Sequence, residues 1–153
     1  MKKGEFVLLG ALVALVMLIA GCGGGGDETT EPLTKAEFIK QGDAICKEGN
    51  EASKTEIEDF AEEQGFQLEK LSKQQSQEVV TEVLVPNLQQ QTEELDALGA
   101  PKGDEDEIDA LIASLEEGTT ELEQNPSSFF KETALAKPIR LENAYGFKVC
   151  GGG

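Results

Sequence analysis

The sequence predicts an all-α protein, folded as an antiparallel bundle of about four helices. Apolar residues recur at three- and four-residue intervals along most of positions 34–145, which is the spacing of one helix face. Cap signals bound these stretches, from Thr34 before the first helix to Gly99 and Pro101 after the second. The 153 residues leave room for one domain with a core of its own.

The first 21 residues have the layout of a secretory signal peptide. Lys2 and Lys3 form a basic start, and positions 6–20 carry no charge. The alternative is a transmembrane helix, but this run is shorter than the roughly 20 residues that span a bilayer. An acidic, glycine-rich stretch follows it instead of a basic flank. We therefore expect positions 1–21 to direct export.

The apolar run closes with Ile19-Ala20-Gly21-Cys22, which resembles the lipobox of bacterial lipoprotein precursors. The resemblance implies cleavage between Gly21 and Cys22 and attachment of diacylglycerol, with acyl chains such as palmitate, to the Cys22 sulfur. Two or more acyl chains anchor a protein stably in a membrane. The expected location is thus the outer, extracytoplasmic face of the cell membrane, and no other cofactor is expected. Positions 22–33 then form a flexible acidic tether to a helical domain at 34–150, and positions 151–153 form a glycine tail.

The first helix is predicted over residues 35–64. Thr34 and Glu37 have the spacing of a capping box, Leu33 and Phe38 are placed as a hydrophobic staple, and Gly65 is the stop. The predicted inward face consists of Ile39, Gly42, Cys46, Gly49, Ser53, Ile57 and Phe60.

Two glycines on that face, Gly42 and Gly49, flank Cys46. A glycine inside a helix costs on the order of 1 kcal/mol, so their presence indicates that another segment packs closely there. The segment that carries Cys150 is the first candidate.

A second apolar series runs from Phe66 to Leu98, where Gly99 and Pro101 end the helix. Pro86 falls in its middle, lacks a backbone donor and clashes with the preceding turn. We therefore expect the second helix to be kinked or broken at Pro86. Such a kink either opens a groove or is a packing feature only.

A third helix opens in the acidic positions 104–107 and ends at Asn125. Five carboxylates within positions 104–109 raise a calcium hypothesis, but the spacing lacks the glycine and the final glutamate of a calcium loop. Acidic residues are favoured at a helix N-terminus in any case, so no metal site is expected. The predicted inward face consists of Ile108, Leu111, Ile112, Leu115, Thr119 and Leu122.

The last segment, positions 127–150, carries a charge of +2 and is expected to dock on the acidic bundle. A short helix from Pro138 to Tyr145 ends at Gly146, and Phe147 folds back.

Once Cys22 is assigned to the anchor, Cys46 and Cys150 remain. An oxidising compartment favours a disulfide between them, and the alternative is two buried thiols. The disulfide would staple the C-terminal segment to the first helix and close a loop of about 100 residues.

Composition excludes several functions. The chain has no histidine and no tryptophan, so imidazole catalysis, histidine metal sites and indole platforms for sugars are excluded. The net charge of -17 becomes -18 when Lys2, Lys3 and Glu5 leave with the signal, and a charge of this sign disfavours nucleic acid, so none is expected as a partner.

Three stretches resemble small helical lipoproteins of actinobacteria and related high-GC Gram-positive bacteria, a group with no established activity. They are Asp43 to Cys46, Leu95 to Pro101 and Ala144 to Cys150. The resemblance implies a helical fold in which the two cysteines are paired.

We expect a membrane-anchored, non-catalytic module that binds an envelope protein or a small ligand. Phe129 and Phe130 are candidate contact residues, since two adjacent phenylalanines cannot both point inward from one helix face; the alternative is that neighbouring elements cover both. One alternative function is a structural envelope spacer, which predicts a fully packed bundle. Another is a carboxylate-based hydrolase, which requires two acids in a cleft.

Overall fold

The computed structural model describes residues 31–152, and from Glu31 onward the chain forms one compact unit. The signal peptide, the lipobox with Gly21 and Cys22, and most of the tether lie outside the described residues. Within them, no helix has both the length and the apolarity that a membrane crossing requires.

The fold is an all-α bundle, as predicted, and its elements are joined by short loops. The helices are α1 (Lys35–Gln64), α2 (Lys73–Val79), α3 (Val85–Ala97), α4 (Glu105–Gln124) and α5 (Ala136–Tyr145). A π-helical turn, Val80–Leu84, joins α2 to α3, and 3₁₀ turns lie at Leu68–Lys70 and Pro126–Lys131.

Helix α1 has the predicted ends but presents a slightly different face to the core. Thr34 and Glu37 form the capping box, and Gly65 ends the helix in the left-handed conformation. Its buried residues are Phe38, Gly42, Cys46 and Ala61, whereas the other predicted inward residues are only half-buried. The observed buried face therefore contains Phe38 in place of Ile39 at the N-terminal end of the helix, and Ala61 in place of Phe60 at the C-terminal end.

Phe38 explains the displacement at the N-terminal end. Its side chain is fully buried and meets Tyr145 and Phe147 edge-on, at centroid distances of 5.9 and 6.0 Å. The sequence pattern predicted only a local contact of Phe38 with Leu33, because the aromatic partners of Phe38 lie more than 100 positions further along the chain.

Pro86 disturbs the second helix as predicted, and a π-helical turn joins the helical segments on either side of the disturbance. Proline lacks an N–H and crowds the turn before it. The preceding turn widens accordingly, and the N–H of Val85 donates to the carbonyl of Val80, five residues back. The helix also begins later than the apolar series does, at a capping box of Ser72 with Gln75.

The core consists of two apolar clusters, and α4 contributes to both. Every residue of its predicted inward face is buried, so the helical spacing identified that face correctly. The larger cluster contains Phe38, Cys46, Leu95, Ile108, Leu111, Ile112, Leu115, Tyr145 and Phe147. The smaller cluster contains Val80, Val85 and Leu122.

The C-terminal segment is fixed to α1 by a covalent bond and by a carboxylate. Cys46 and Cys150 form the predicted disulfide, with their Cα atoms 5.1 Å apart. The Asp43 side chain accepts hydrogen bonds from the backbone N–H groups of Lys148 and Val149, at 2.9 and 2.8 Å. The turn that brings these groups back to α1 follows α5 at Gly146, whose positive φ of 119° suits glycine.

The glycines beside Cys46 permit close approach, as predicted, but to two different segments. A Cβ atom on Gly42 would overlap the ring of Phe147 and lie 2.8 Å from Leu95. On Gly49 it would overlap the side chain of Gln91 in α3. Close packing around Cys46 thus involves α3 as well as the segment that carries Cys150.

Removing the disulfide should strongly destabilise the domain. In the chain-entropy model, a cross-link that closes about 100 residues contributes about 4 to 5 kcal/mol. The Cys46→Ala, Cys150→Ala double variant should therefore lose about that much free energy of unfolding, measured by urea denaturation. A loss below about 1 kcal/mol would mean that the cross-link is dispensable.

Asp43→Asn should destabilise the domain by about 1 to 3 kcal/mol, because an amide accepts these hydrogen bonds less strongly than a carboxylate. Asp59→Asn is the matched control, since Asp59 is an exposed residue of the same helix. Equal unfolding free energies for the two variants would contradict the role given to Asp43.

Candidate functional site

A cavity of about 250 Å³ lies between α1, α3, α5 and the C-terminal segment. Asn50, Ile139 and Gly152 line it and are exposed, so the cavity opens to solvent at that end. The cavity adjoins the disulfide, since both cysteines are among its lining residues.

Most of the cavity wall is apolar. The aliphatic and aromatic lining comes from α3 and the turn before it, from α4, and from the region between residues 129 and 149. These residues are Leu84, Leu88, Leu95, Leu115, Phe129, Leu135, Pro138, Ile139 and Val149.

The polar lining comes mainly from α1 and α3. Asn87 and Gln91 are buried, and the Gln91 side-chain amide donates to the Asn87 side-chain oxygen at 2.6 Å. The Gln91 oxygen accepts no hydrogen bond from any described residue. Because Gly49 leaves room for its side chain, Gln91 can pack against α1 at this place.

Among the described residues, Glu142 of α5 is the single carboxylate in the cavity wall. It is only 4 % exposed, and no described residue donates a hydrogen bond to its side chain. Within residues 31–152 no fully enclosed side-chain nitrogen or oxygen lacks a hydrogen-bond partner, so the unpartnered Glu142 oxygens are open to the cavity that this residue lines. Burial raises the pKa of Glu142 from its ordinary 4.5 to about 7, and the negative charge of Asp43 adds to the effect.

Glu142 also lies close to the disulfide. A carboxylate oxygen of Glu142 and the sulfurs of Cys46 and Cys150 lie within 4.8 Å of one another. Each sulfur is already bonded to the other, and a metal would need a thiolate, so these three residues are not a metal site in the oxidised protein.

The two phenylalanines proposed as contact residues are placed differently. Phe129 is half-buried and lines the cavity, while Phe130 is 54 % exposed. Their rings pack edge-on at 5.4 Å. One ring thus faces inward and one outward, and contact of either with a partner stays a prediction.

Sequence reasoning missed Glu142, although a signal was present. Pro138, Glu142 and Tyr145 are four and three positions apart, the spacing of one helix face, and all three are buried. A glutamate between two inward residues therefore pointed to a buried acid.

No protein-family model, curated protein or solved structure matches this chain.

The raised pKa of Glu142 predicts how stability changes with pH. The folded protein holds its proton more tightly than the unfolded chain does, so the contribution is complete below pH 4.5 and is lost as pH rises toward about 7. The loss is on the order of 3 kcal/mol. Glu142→Gln should therefore unfold at nearly the same urea concentration as the unsubstituted protein at pH 4.5, and at a clearly higher one at pH 8.

Glu58→Gln makes the same chemical change at an exposed position of α1 and serves as the control. If the difference between Glu142→Gln and the unsubstituted protein is the same at both pH values, the carboxyl does not titrate as a buried group.

Proposed function

We propose that this protein is a lipid-anchored, extracytoplasmic, non-catalytic module that binds a small, largely apolar ligand. The observation that carries the proposal is the cavity of about 250 Å³, with its apolar wall and its few polar groups. Ligand sites generally combine a mostly apolar surface with a small number of polar groups that orient the ligand.

The size of the cavity limits the ligand. Small-molecule sites usually measure about 300 to 1,000 Å³, so this cavity, at about 250 Å³, lies slightly below that range. An apolar cavity of about 150 Å³ is enough for benzene. An aromatic ring or short alkyl chain with one polar substituent therefore fits the volume.

The cavity also bears on the two alternative functions. A structural spacer predicts a bundle without internal space, and the cavity supports a binding role over it. A carboxylate-based hydrolase requires two acids across a cleft. Glu142 is the one acid in the cavity wall, and the oxygens of the neighbouring Asp43 accept backbone hydrogen bonds.

The anchor rests on the sequence, in the basic start, the apolar run and the match of residues 19–22 to a lipobox. Membership of the helical lipoproteins that the chain resembles is part of the same proposal. Expression in a bacterium, followed by mass measurement of the N-terminal peptide, tests the anchor directly. We expect the mature chain to begin at an acylated Cys22, and Cys22→Ser to leave an unprocessed precursor. An unmodified, uncleaved N-terminus on the unsubstituted chain would contradict the anchor.

Neutral probes test the cavity. Benzyl alcohol should shift the NMR signals of methyl groups that line the cavity, including Leu88 and Leu135, and should stabilise the protein by mass action. The full chain is best studied in phosphatidylcholine nanodiscs, because detergent could itself enter an apolar cavity.

Leu88→Phe should weaken this binding, because the larger ring occupies cavity space. Leu68→Phe is the matched control, at an exposed leucine outside the cavity. If benzyl alcohol and benzene both fail to bind, or if Leu88→Phe binds them as well as Leu68→Phe does, the proposed site is not a ligand site.

A further inference from the structure

The hydrogen bonding of the cavity is incomplete at Glu142. As a whole residue Glu142 is only 4 % exposed, yet no described residue donates a hydrogen bond to its carboxyl group. Burying a carboxylate without a donor or a counter-charge is costly, so such groups are normally paired. A ligand that enters the cavity can supply both a hydrogen-bond donor and a counter-charge to this group.

The surroundings of Glu142 select the charge of that ligand. Among the residues that line the cavity, α1, α3, α4 and the C-terminal segment contribute no other ionisable group, apart from the cysteines of the disulfide. The charged group that raises the pKa of Glu142 is Asp43 of α1, which is also negative. Among the cavity-lining residues a cation would therefore meet the Glu142 carboxylate and no basic side chain, with the negative charge of Asp43 nearby.

The charge of the whole chain acts in the same direction. With a net charge of -17 at pH 7, the protein raises the local concentration of cations and repels anions. Gln91 also lines the cavity, and its side-chain oxygen accepts no hydrogen bond from the described residues. Both features match an ammonium group, which only donates hydrogen bonds.

We propose that the ligand is a small organic cation, an apolar amine whose ammonium group pairs with Glu142 while its hydrocarbon part lies between Leu88, Leu135 and the other apolar residues of the cavity. This inference rests on the proposed function, since it names the ligand class of the same cavity. The complex is an ion pair, with a protonated amine and an ionised carboxyl group, and no covalent bond forms or breaks.

Three probes of similar size separate charge from shape. Benzylammonium, benzyl alcohol and benzoate share the ring and carry a positive, a neutral and a negative group. Their affinities for the full chain in phosphatidylcholine nanodiscs are measured by NMR titration at pH 6 and pH 8. At pH 8, benzylammonium should bind at least about tenfold more tightly than benzyl alcohol, and benzoate most weakly, since hydrogen bonds to charged groups are the stronger ones.

The pH dependence provides a second readout. Glu142, with a pKa of about 7, is mostly protonated at pH 6 and mostly ionised at pH 8. Benzylammonium stays charged throughout, so its affinity should rise by roughly tenfold between the two values. Benzyl alcohol should gain nothing over the same range.

Glu142→Gln removes the charge with little change in volume and should abolish the preference for benzylammonium while leaving benzyl alcohol bound. Glu58→Gln removes an equal charge from the surface and should leave the preference intact. The inference is overturned if benzyl alcohol binds and benzylammonium binds no more tightly, or if the preference survives in Glu142→Gln. The absence of binding by every probe would instead overturn the proposed function itself, and the inference with it.

Discussion

The structure depends on the attachment of the C-terminal segment to α1. The disulfide from Cys46 to Cys150 and the hydrogen bonds from Lys148 and Val149 to Asp43 act within one turn of α1. Gly42, in the same turn, lets Phe147 pack directly against the helix. Without these contacts, α5 would be held to α1 mainly through Phe38 and Tyr145, and the larger apolar cluster would lose its cover at this edge of the bundle.

The same attachment creates the candidate site. It holds α5 so that Glu142 faces inward, beside the disulfide and away from most solvent. The raised pKa of Glu142 is thus a consequence of how the last helix is docked. A ligand with a positive charge would stabilise the ionised carboxylate, which burial disfavours. Fold stability and ligand preference are in this way linked through one carboxyl group.

Much of the fold could be predicted from local sequence signals. Caps such as Thr34 with Glu37, the stop at Gly65 and the spacing of α4 act over a few residues, and each had the predicted effect. The burial of Phe38 and the widened turn before Pro86 were less predictable, because they depend on neighbours distant in sequence or on how a helix adapts to a proline. The pairing of Cys46 with Cys150 was predictable because only two cysteines remained once Cys22 was set aside.

The cavity itself could not be predicted, since a void is the space that several helices leave between them and no single stretch encodes it. The glycines of α1 indicated close approach, but not that Gln91 would be one of the groups approaching. Glu142 had a visible signal in its spacing from Pro138 and Tyr145, yet its lack of a hydrogen-bond donor is a three-dimensional property.

The most direct test of this account is a titration of the Glu142 carboxyl carbon by ¹³C NMR in the oxidised full chain. We predict a midpoint near pH 7, well above the ordinary value of 4.5, and a fall in that midpoint when benzylammonium is bound. A midpoint near 4.5 in the absence of ligand would contradict the account, because it would show that Glu142 is solvated and that the docked C-terminal segment does not bury it.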